Sequence, residues 1–211
     1  MLIEPLGDSA YLIRCSDSQA SILANVIEEL SDPTILETVV SYESVAVYVD
    51  PLTFDPESLA NLDTESAPIH KSRLLEIPVC YDRGEDLEIT CELLHLSVDQ
   101  LISAHLAETY LCYALGFQPG FPYLGYLHPT ISGVPRLDSP RIQTTPGSVG
   151  ITGRQTGIYP SASPGGWRLI GQTPVTIVDL DDDYFPIKAG DRIRFRQIGE
   201  KEFNSLLGER L

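Results

Sequence analysis

Apolar positions in the first part of this 211-residue chain change their period several times, and each change marks an element. Ala10-Tyr11-Leu12-Ile13 reads as a short strand. Ile22, Val26 and Leu30, with Glu29 between them, recur at helical spacing, so a helix is predicted over 21–30. Asp17 or Ser18 supplies its cap, and Ser31-Asp32-Pro33 ends it. Two strands follow, over 34–41 and 44–50, joined tightly at Tyr42-Glu43; Val45, Val47 and Val49 alternate with Ala46 and Tyr48, the period of a strand with one buried face. Asp55-Pro56-Glu57 opens a second helix, with Pro in the first turn and acid at the positive end of the helix dipole. A polar break over 61–68 leads to a strand over 74–80, which Pro78 confines to a sheet edge. The order β-α-β-β-α-β predicts a ferredoxin-like, split-βαβ domain over 1–83.

Residues 84–211 follow another pattern. Two short helices are predicted over 86–96 and 98–106, the second opened by the capping box Ser97-x-x-Gln100. Strands are predicted over 110–117, 175–180 and 192–198, with a turn at Ala189-Gly190-Asp191 and a terminal helix over 200–207. Short strands separated by frequent turns predict a small β-barrel or sandwich, so the whole chain reads as α+β.

Between these elements lies a stretch of different chemistry. Residues 116–174 hold 11 Gly, 9 Pro and six aromatics, with four Arg (136, 141, 154, 168) against a single Asp (138) and no Lys. The chain as a whole carries a net charge of −16. A cationic, aromatic island in an acidic protein is a candidate pocket for a small anion, because the planar Arg fork matches a carboxylate or phosphate through two hydrogen bonds. The overall acidity argues against nonspecific binding to nucleic acid or to anionic membranes. The N-terminus lacks a signal-peptide pattern, and no apolar run approaches the roughly 20 residues of a membrane span. The four Cys (15, 80, 91, 112) have no CxxC spacing and read as free thiols of a cytoplasmic protein.

Within the island, the two prolines of Gly116-Phe117-Gln118-Pro119-Gly120-Phe121-Pro122 make a rigid loop in which Gly120 can take a positive φ. Its aromatics serve either as a core plug or as a pocket wall. Arg136 and Arg141 lie five residues apart, on opposite faces of an extended segment, so only one need point inward. The glycine-rich run 146–153 lacks the Lys-Ser/Thr ending of a nucleotide-binding P-loop and has no helix after it. Gly165-Gly166 allows close backbone approach and an anion-binding nest, with Trp167 as a flat wall. His105 stands alone, with no Asp or Ser placed for a triad, and the four His (70, 95, 105, 128) have no metal spacing; both are patterns of packed or solvated histidines.

The ordered motifs Gly116-Phe117-x-Pro119-Gly120-Phe121-x-Tyr123-Leu124, Pro135-Arg136, Pro140-Arg141, Pro146-Gly147-Ser148-Val149, Gly153-x-Gln155-Thr156-Gly157-x-Tyr159-Pro160 and Ser163-Pro164-Gly165-Gly166-Trp167 resemble the allophanate hydrolase subunit 1 family. That family includes the B component of bacterial 5-oxoprolinase, an inhibitor of a sporulation histidine kinase, and half of a urea carboxylase carboxyltransferase domain. The resemblance implies a ferredoxin-like domain over 1–83 followed by a cyclophilin-like β-barrel over 84–211. It implies, first, one component of an ATP-dependent 5-oxoprolinase that opens 5-oxo-L-proline to L-glutamate, with ATP held by the complex. The expected partners are an A component and a homologous cyclophilin-like subunit 2, which is the C component. The alternatives are a binding protein that inhibits a sensor histidine kinase and one part of an allophanate- or urea-type hydrolase or carboxyltransferase. Combined with the residue chemistry above, the resemblance makes His105, Arg141, Gln155 and Tyr159 the catalytic candidates. Gln118, Gly120, Arg154, Ser163, Gly165, Gly166 and Trp167 are the candidates for holding substrate or an anion.

Overall fold

The computed structural model describes residues 2–60, 62 and 72–211. It divides into two compact units, 1–72 and 73–211. The polar break expected over 61–68 lies, except for Leu62, outside the described residues, as does His70.

The first unit is built from β1 (Leu2–Pro5), β2 (Ala10–Arg14), α1 (Asp17–Glu29), β3 (Ile35–Ser41), β4 (Ser44–Val49) and α2 (Glu57–Ala60). Its strands run antiparallel in the order β1-β2-β4-β3. The β3–β4 hairpin closes at Tyr42-Glu43 as the sequence predicts, with Tyr42 at φ 42°. Strand β1 has no counterpart in the sequence pattern, because Leu2-Ile3-Glu4-Pro5 is too short to carry a period. Ser16, not Asp17 or Ser18, is the N-cap of α1, and the helix starts four residues earlier than its apolar spacing predicts. Its buried stripe is also different: Ala20, Leu23, Ala24 and Ile27 face Ile13, Val45, Val47 and Val49, while Leu30 is 44% exposed. Two adjacent stripes of this helix are apolar. The one bearing two alanines lets the helix axis approach the sheet closely enough to exclude water.

The second unit contains β5 (Leu74–Val79), α3 (Leu87–Leu94), α4 (Val98–Leu106), β6 (Tyr110–Leu115), β7 (Pro122–Gly125), β8 (Ser148–Thr152), β9 (Gln155–Ile158), β10 (Arg168–Gln172), β11 (Arg192–Gln197) and α5 (Glu200–Leu206). The strand expected to complete the first unit, β5, pairs in parallel with β11 and so belongs to the second. Pro78 is compatible with that place because it stands opposite Arg196 and has no N–H to offer another neighbour. The strand order is β5-β11-β6-β7-β9-β8-β10. Just past β5, Cys80 exchanges two backbone hydrogen bonds with Gln172 at the end of β10, 2.9 and 3.0 Å, so the two ends of the order meet and the sheet closes. Inward residues alternate along the strands: Ile77 and Val79, Tyr110 and Cys112, Val149 and Ile151, Ile193 and Phe195.

The capping box of α4 is present, with Gln100 N–H donating to Ser97 Oγ at 3.2 Å and Ser97 N–H to Gln100 Oε1 at 2.8 Å. The predicted strand over 175–180 is a correction. These residues make isolated bridges only, Thr176 with Arg210 and Asp179 with Tyr184. Pro174 precedes them without an N–H, and the Asp179 carboxylate accepts from Asp181 N–H at 3.1 Å, curling the chain into a turn. All four cysteines are free thiols.

Candidate functional site

The aromatic island folds into a groove of about 260 Å³ in the second unit. Strand β9 delivers Tyr159, whose backbone is fixed by bonds to Ser148 O (2.9 Å) and from Gly147 N–H (2.7 Å). The loop before β7 delivers Phe121, and the turn before β10 delivers Trp167. With Leu169 these form a tight cluster, in which the Phe121 ring stands edge-on to Tyr159 (5.0 Å) and to Trp167 (5.4 Å). Edge-to-face contacts of this kind hold the rings rigid. Phe117 makes the outer lip, 62% exposed and at φ +71°, a left-handed conformation that is strained for a bulky side chain.

The opposite wall is a short ladder. Leu137 N–H donates to Gly166 O at 2.8 Å, and Arg141 and Gly165 exchange bonds of 2.8 and 3.2 Å. The ladder exists because residue 165 is Gly: a Cβ there would lie 2.6 Å from Thr144 Cγ2 and 2.8 Å from the Tyr159 hydroxyl. Gly157 is required in the same way, since a Cβ would lie 2.8 Å from Phe121 Cζ. The ladder sets Arg136 beside Gly166 on the groove wall. Arg136 is exposed and forms no ion pair among the described residues.

Arg141 points elsewhere. Its guanidinium pairs with Asp86 and, at 3.2 Å, with Glu85, and donates to Trp167 O at 3.3 Å. Asp86, the N-cap residue of α3 and 6% exposed, also accepts from Leu169 N–H at 2.7 Å. Arg141 therefore pins the groove's backbone to α3. Asp86 carries no sequence signal: its partner lies 55 residues away, and only burial reveals its role.

His105 does not line the groove either. It is fully buried in α4, stacked on Phe195 at 4.6 Å. Thr156 Oγ1 donates its one proton to Gly150 O (3.1 Å), so it accepts from His105 Nε2–H (3.0 Å), and Nδ1 then accepts from the Tyr81 hydroxyl (2.7 Å). Burial pushes the imidazole pKa down to about 3. Both ring nitrogens are occupied, and the residue is a neutral core histidine.

The remaining candidates divide. Tyr159, Gly165, Gly166 and Trp167 line the groove together. Gln118 and Ser163 lie in the segments bordering it: Gln118 Oε1 accepts from Ser161 Oγ at 2.8 Å, and Ser163 O accepts from Thr144 N–H at 2.8 Å. Gly120 is a packing glycine at φ +70°, where a Cβ would run into Val178. Arg154 and Gln155 stand at the far end of β9, about 13–16 Å along the strand from Tyr159, and Arg154 lies over the Tyr126 ring at 4.0 Å.

Chemically, the groove offers one unpaired guanidinium, aromatic walls and the Tyr159 phenol. Burial raises the phenol's pKa, opposed by a hydrogen bond from the Trp167 backbone and by the Arg136 and Arg141 charges, which leaves it a neutral donor at pH 7. Among the described residues, no carboxylate, His, Ser or Cys lines it. The lining thus combines one cation with apolar and aromatic walls. Two other depressions, of about 320 and 370 Å³, are lined by residues such as Glu28, Asp32 and Glu37, or Leu96, Asp99 and Gln100, and include no Arg or Lys among the described residues. Among the described residues, no group of three or more His, Cys, Asp or Glu is placed to hold a metal ion, and no helix is long and apolar enough to cross a membrane.

The carboxyltransferase domain, subdomain C and D, family model matches residues 1–186. The chain is 36% identical over 229 aligned residues to the B component of 5-oxoprolinase from Bacillus subtilis, covering 96% of this chain and 95% of that protein. It is 40% identical to the Escherichia coli O157:H7 protein of the same name, over 77% of this chain and 78% of that one. Among solved structures it is similar to TTHA0988, with a TM-score of 0.81 and 33% identity over 93% of this chain; the chain spans 40% of that protein's length. The likeness to the K. lactis urea amidolyase, TM-score 0.70 at 17% identity over 97% of this chain and 15% of that one, shows a shared fold.

Proposed function

The chain belongs to the carboxyltransferase subdomain C and D family, and on that premise we propose that it works as the B component of a 5-oxoprolinase. The observation that carries this reading is the nearly end-to-end correspondence with the Bacillus subtilis B component. In this reading the chain acts in the cytoplasm with the A and C components, and the complex opens the lactam of 5-oxo-L-proline to L-glutamate with ATP. The first unit is a ferredoxin-like domain and the second a cyclophilin-like barrel, whose groove receives the substrate or a group passed from a partner.

ATP is assigned to the complex and not to this chain. The glycine-rich run that offers itself as a phosphate cradle is the buried strand β8, Ser148–Thr152, with no helix N-terminus behind it, and does not fit a triphosphate.

In the proposed work of this chain, the rigid aromatic floor orients a small ring and excludes water from one face, while the Tyr159 hydroxyl offers a neutral donor. The test is glutamate formation coupled to ATP hydrolysis in the presence of 5-oxo-L-proline, measured on the chain alone and with the purified A and C components. Turnover in the mixture and none in the chain alone is the expected result. A folded, assembled mixture without turnover sinks the proposal.

A further inference from the structure

We infer that Arg136, and not Arg141, recognises the carboxylate of a small ring compound lying on the aromatic floor of the groove. The identity of the ring as a lactam rests on the 5-oxoprolinase reading; the assignment of Arg136 rests on geometry.

Four arginines lie in the island, and three have other positions. Arg141 is committed to Asp86, Arg154 sits over Tyr126 at the far end of β9, and Arg168 is on β10 outside the groove lining. Arg136 alone of the four lines the groove. In a protein of net charge −16, an anion approaches only where a local cation outweighs the surrounding field. Arg136 supplies that cation, with no carboxylate paired to it among the described residues, although Asp138 is two residues away. Beside it, the Gly166 carbonyl is taken by Leu137 N–H, whereas the Gly166 N–H makes no backbone bond among the described residues. A guanidinium next to an uncommitted N–H is a two-point fit for a carboxylate.

The walls then select the rest of the ligand. A volume of about 260 Å³ falls below the roughly 300–1,000 Å³ of pockets for drug-sized compounds, so a small metabolite is the right size. Phe121, Tyr159 and Trp167 line the groove as a rigid, mutually packed aromatic surface, against which a small ring can rest. A neutral ring would fill the floor but leave the guanidinium without a partner.

Trp167 is the chain's single tryptophan and lines the groove, so its fluorescence reports occupancy directly. The experiment titrates the full chain, and the assembled complex, with 5-oxo-L-proline, pyrrole-2-carboxylate and the uncharged lactam 2-pyrrolidinone. Arg136→Gln should weaken binding of both carboxylates roughly 10–100-fold, the range of one lost charge-assisted pairing, and leave 2-pyrrolidinone unchanged. Arg136→Lys should recover part of the loss, because an ammonium keeps the charge but not the fork. In the complex the loss should appear in KM more than in kcat. An unchanged melting temperature in Arg136→Gln separates this effect from misfolding.

The assignment is overturned if Arg136→Gln binds the carboxylates as well as the unsubstituted chain does, or loses the neutral lactam equally. It is overturned too if no probe gives a saturable signal with either chain or complex. Those failures leave the 5-oxoprolinase reading standing whenever the complex turns over. Conversely, carboxylate binding that depends on Arg136 in a complex without turnover retains this inference and removes that reading.

Discussion

Arg141 shows how far a residue's role depends on its partner. By sequence it is one of four cations available to a ligand; in the fold it neutralises Asp86, a carboxylate with a 9% exposed side chain. Breaking a buried pair by removing one member costs about 3–5 kcal/mol, because the other charge is stranded. Arg141→Ala should therefore lower the urea midpoint steeply, with activity falling as the fold is lost. The double variant Arg141→Leu/Asp86→Leu should be less damaged than the single one, and a double-mutant cycle in urea measures the difference. Phe117 gives the opposite case. Held at φ +71° and largely exposed, it forgoes roughly 1–2 kcal/mol that a glycine would not. Phe117→Gly should leave stability unchanged or slightly raised while weakening ligand binding at the lip, which thermal melts and Trp167 titration resolve together. Neither outcome is readable from the chain, since the burial of Asp86 and the φ of residue 117 are properties of the folded backbone.

Among the elements, α1 is the clearest case of a pattern legible in kind and not in phase. The spacing of apolar residues predicts a helix, but Ile22, Val26 and Leu30 compete with Ala20, Leu23 and Ile27 for the sheet. The second set wins: Leu23 is 1% exposed and Leu30 44%. Leu23→Ala should cost about 2–5 kcal/mol through the cavity it leaves, whereas Leu30→Ala should cost well under half as much, as denaturant melts will show. Strand β5 stands at the end of its strand order, as Pro78 predicts, yet in the second unit and not the first, because a strand's sequence specifies its burial and not its partner. The capping box of α4 is legible in full, being a contact between residues three apart.

At the scale of the whole molecule, His105 in α4 ties together the turn bearing Tyr81, β6 through Tyr110, β9 through Thr156, and β11 through Phe195. Its pKa is lowered from 6.5 to about 3 by burial. Between those values the unfolded chain binds a proton that the folded one does not, so stability falls as pH falls through this window and is flat, for this group, above about 6.5. The loss across the window is on the order of 5 kcal/mol. Urea titrations between pH 4 and pH 7 should show that slope, and His105→Gln, which does not titrate there, should flatten it. The histidine that the family resemblance offers as a catalyst would then be established as a keystone of the core.

The sequence by itself determined what short-range physics controls: the helical and strand periods of most elements, the capping box of α4, the tight turn at Tyr42-Glu43, the free thiols, and the concentration of Arg, Gly and aromatic residues in one stretch. It also carried the ordered motifs that mark the family. It did not determine which arginine faces the groove, which apolar stripe of α1 is buried, or that His105 is sealed in the core. Those choices follow from contacts between residues tens of positions apart, where burial and partner fix each side chain's direction and charge. Only the closed tertiary structure brings those partners together.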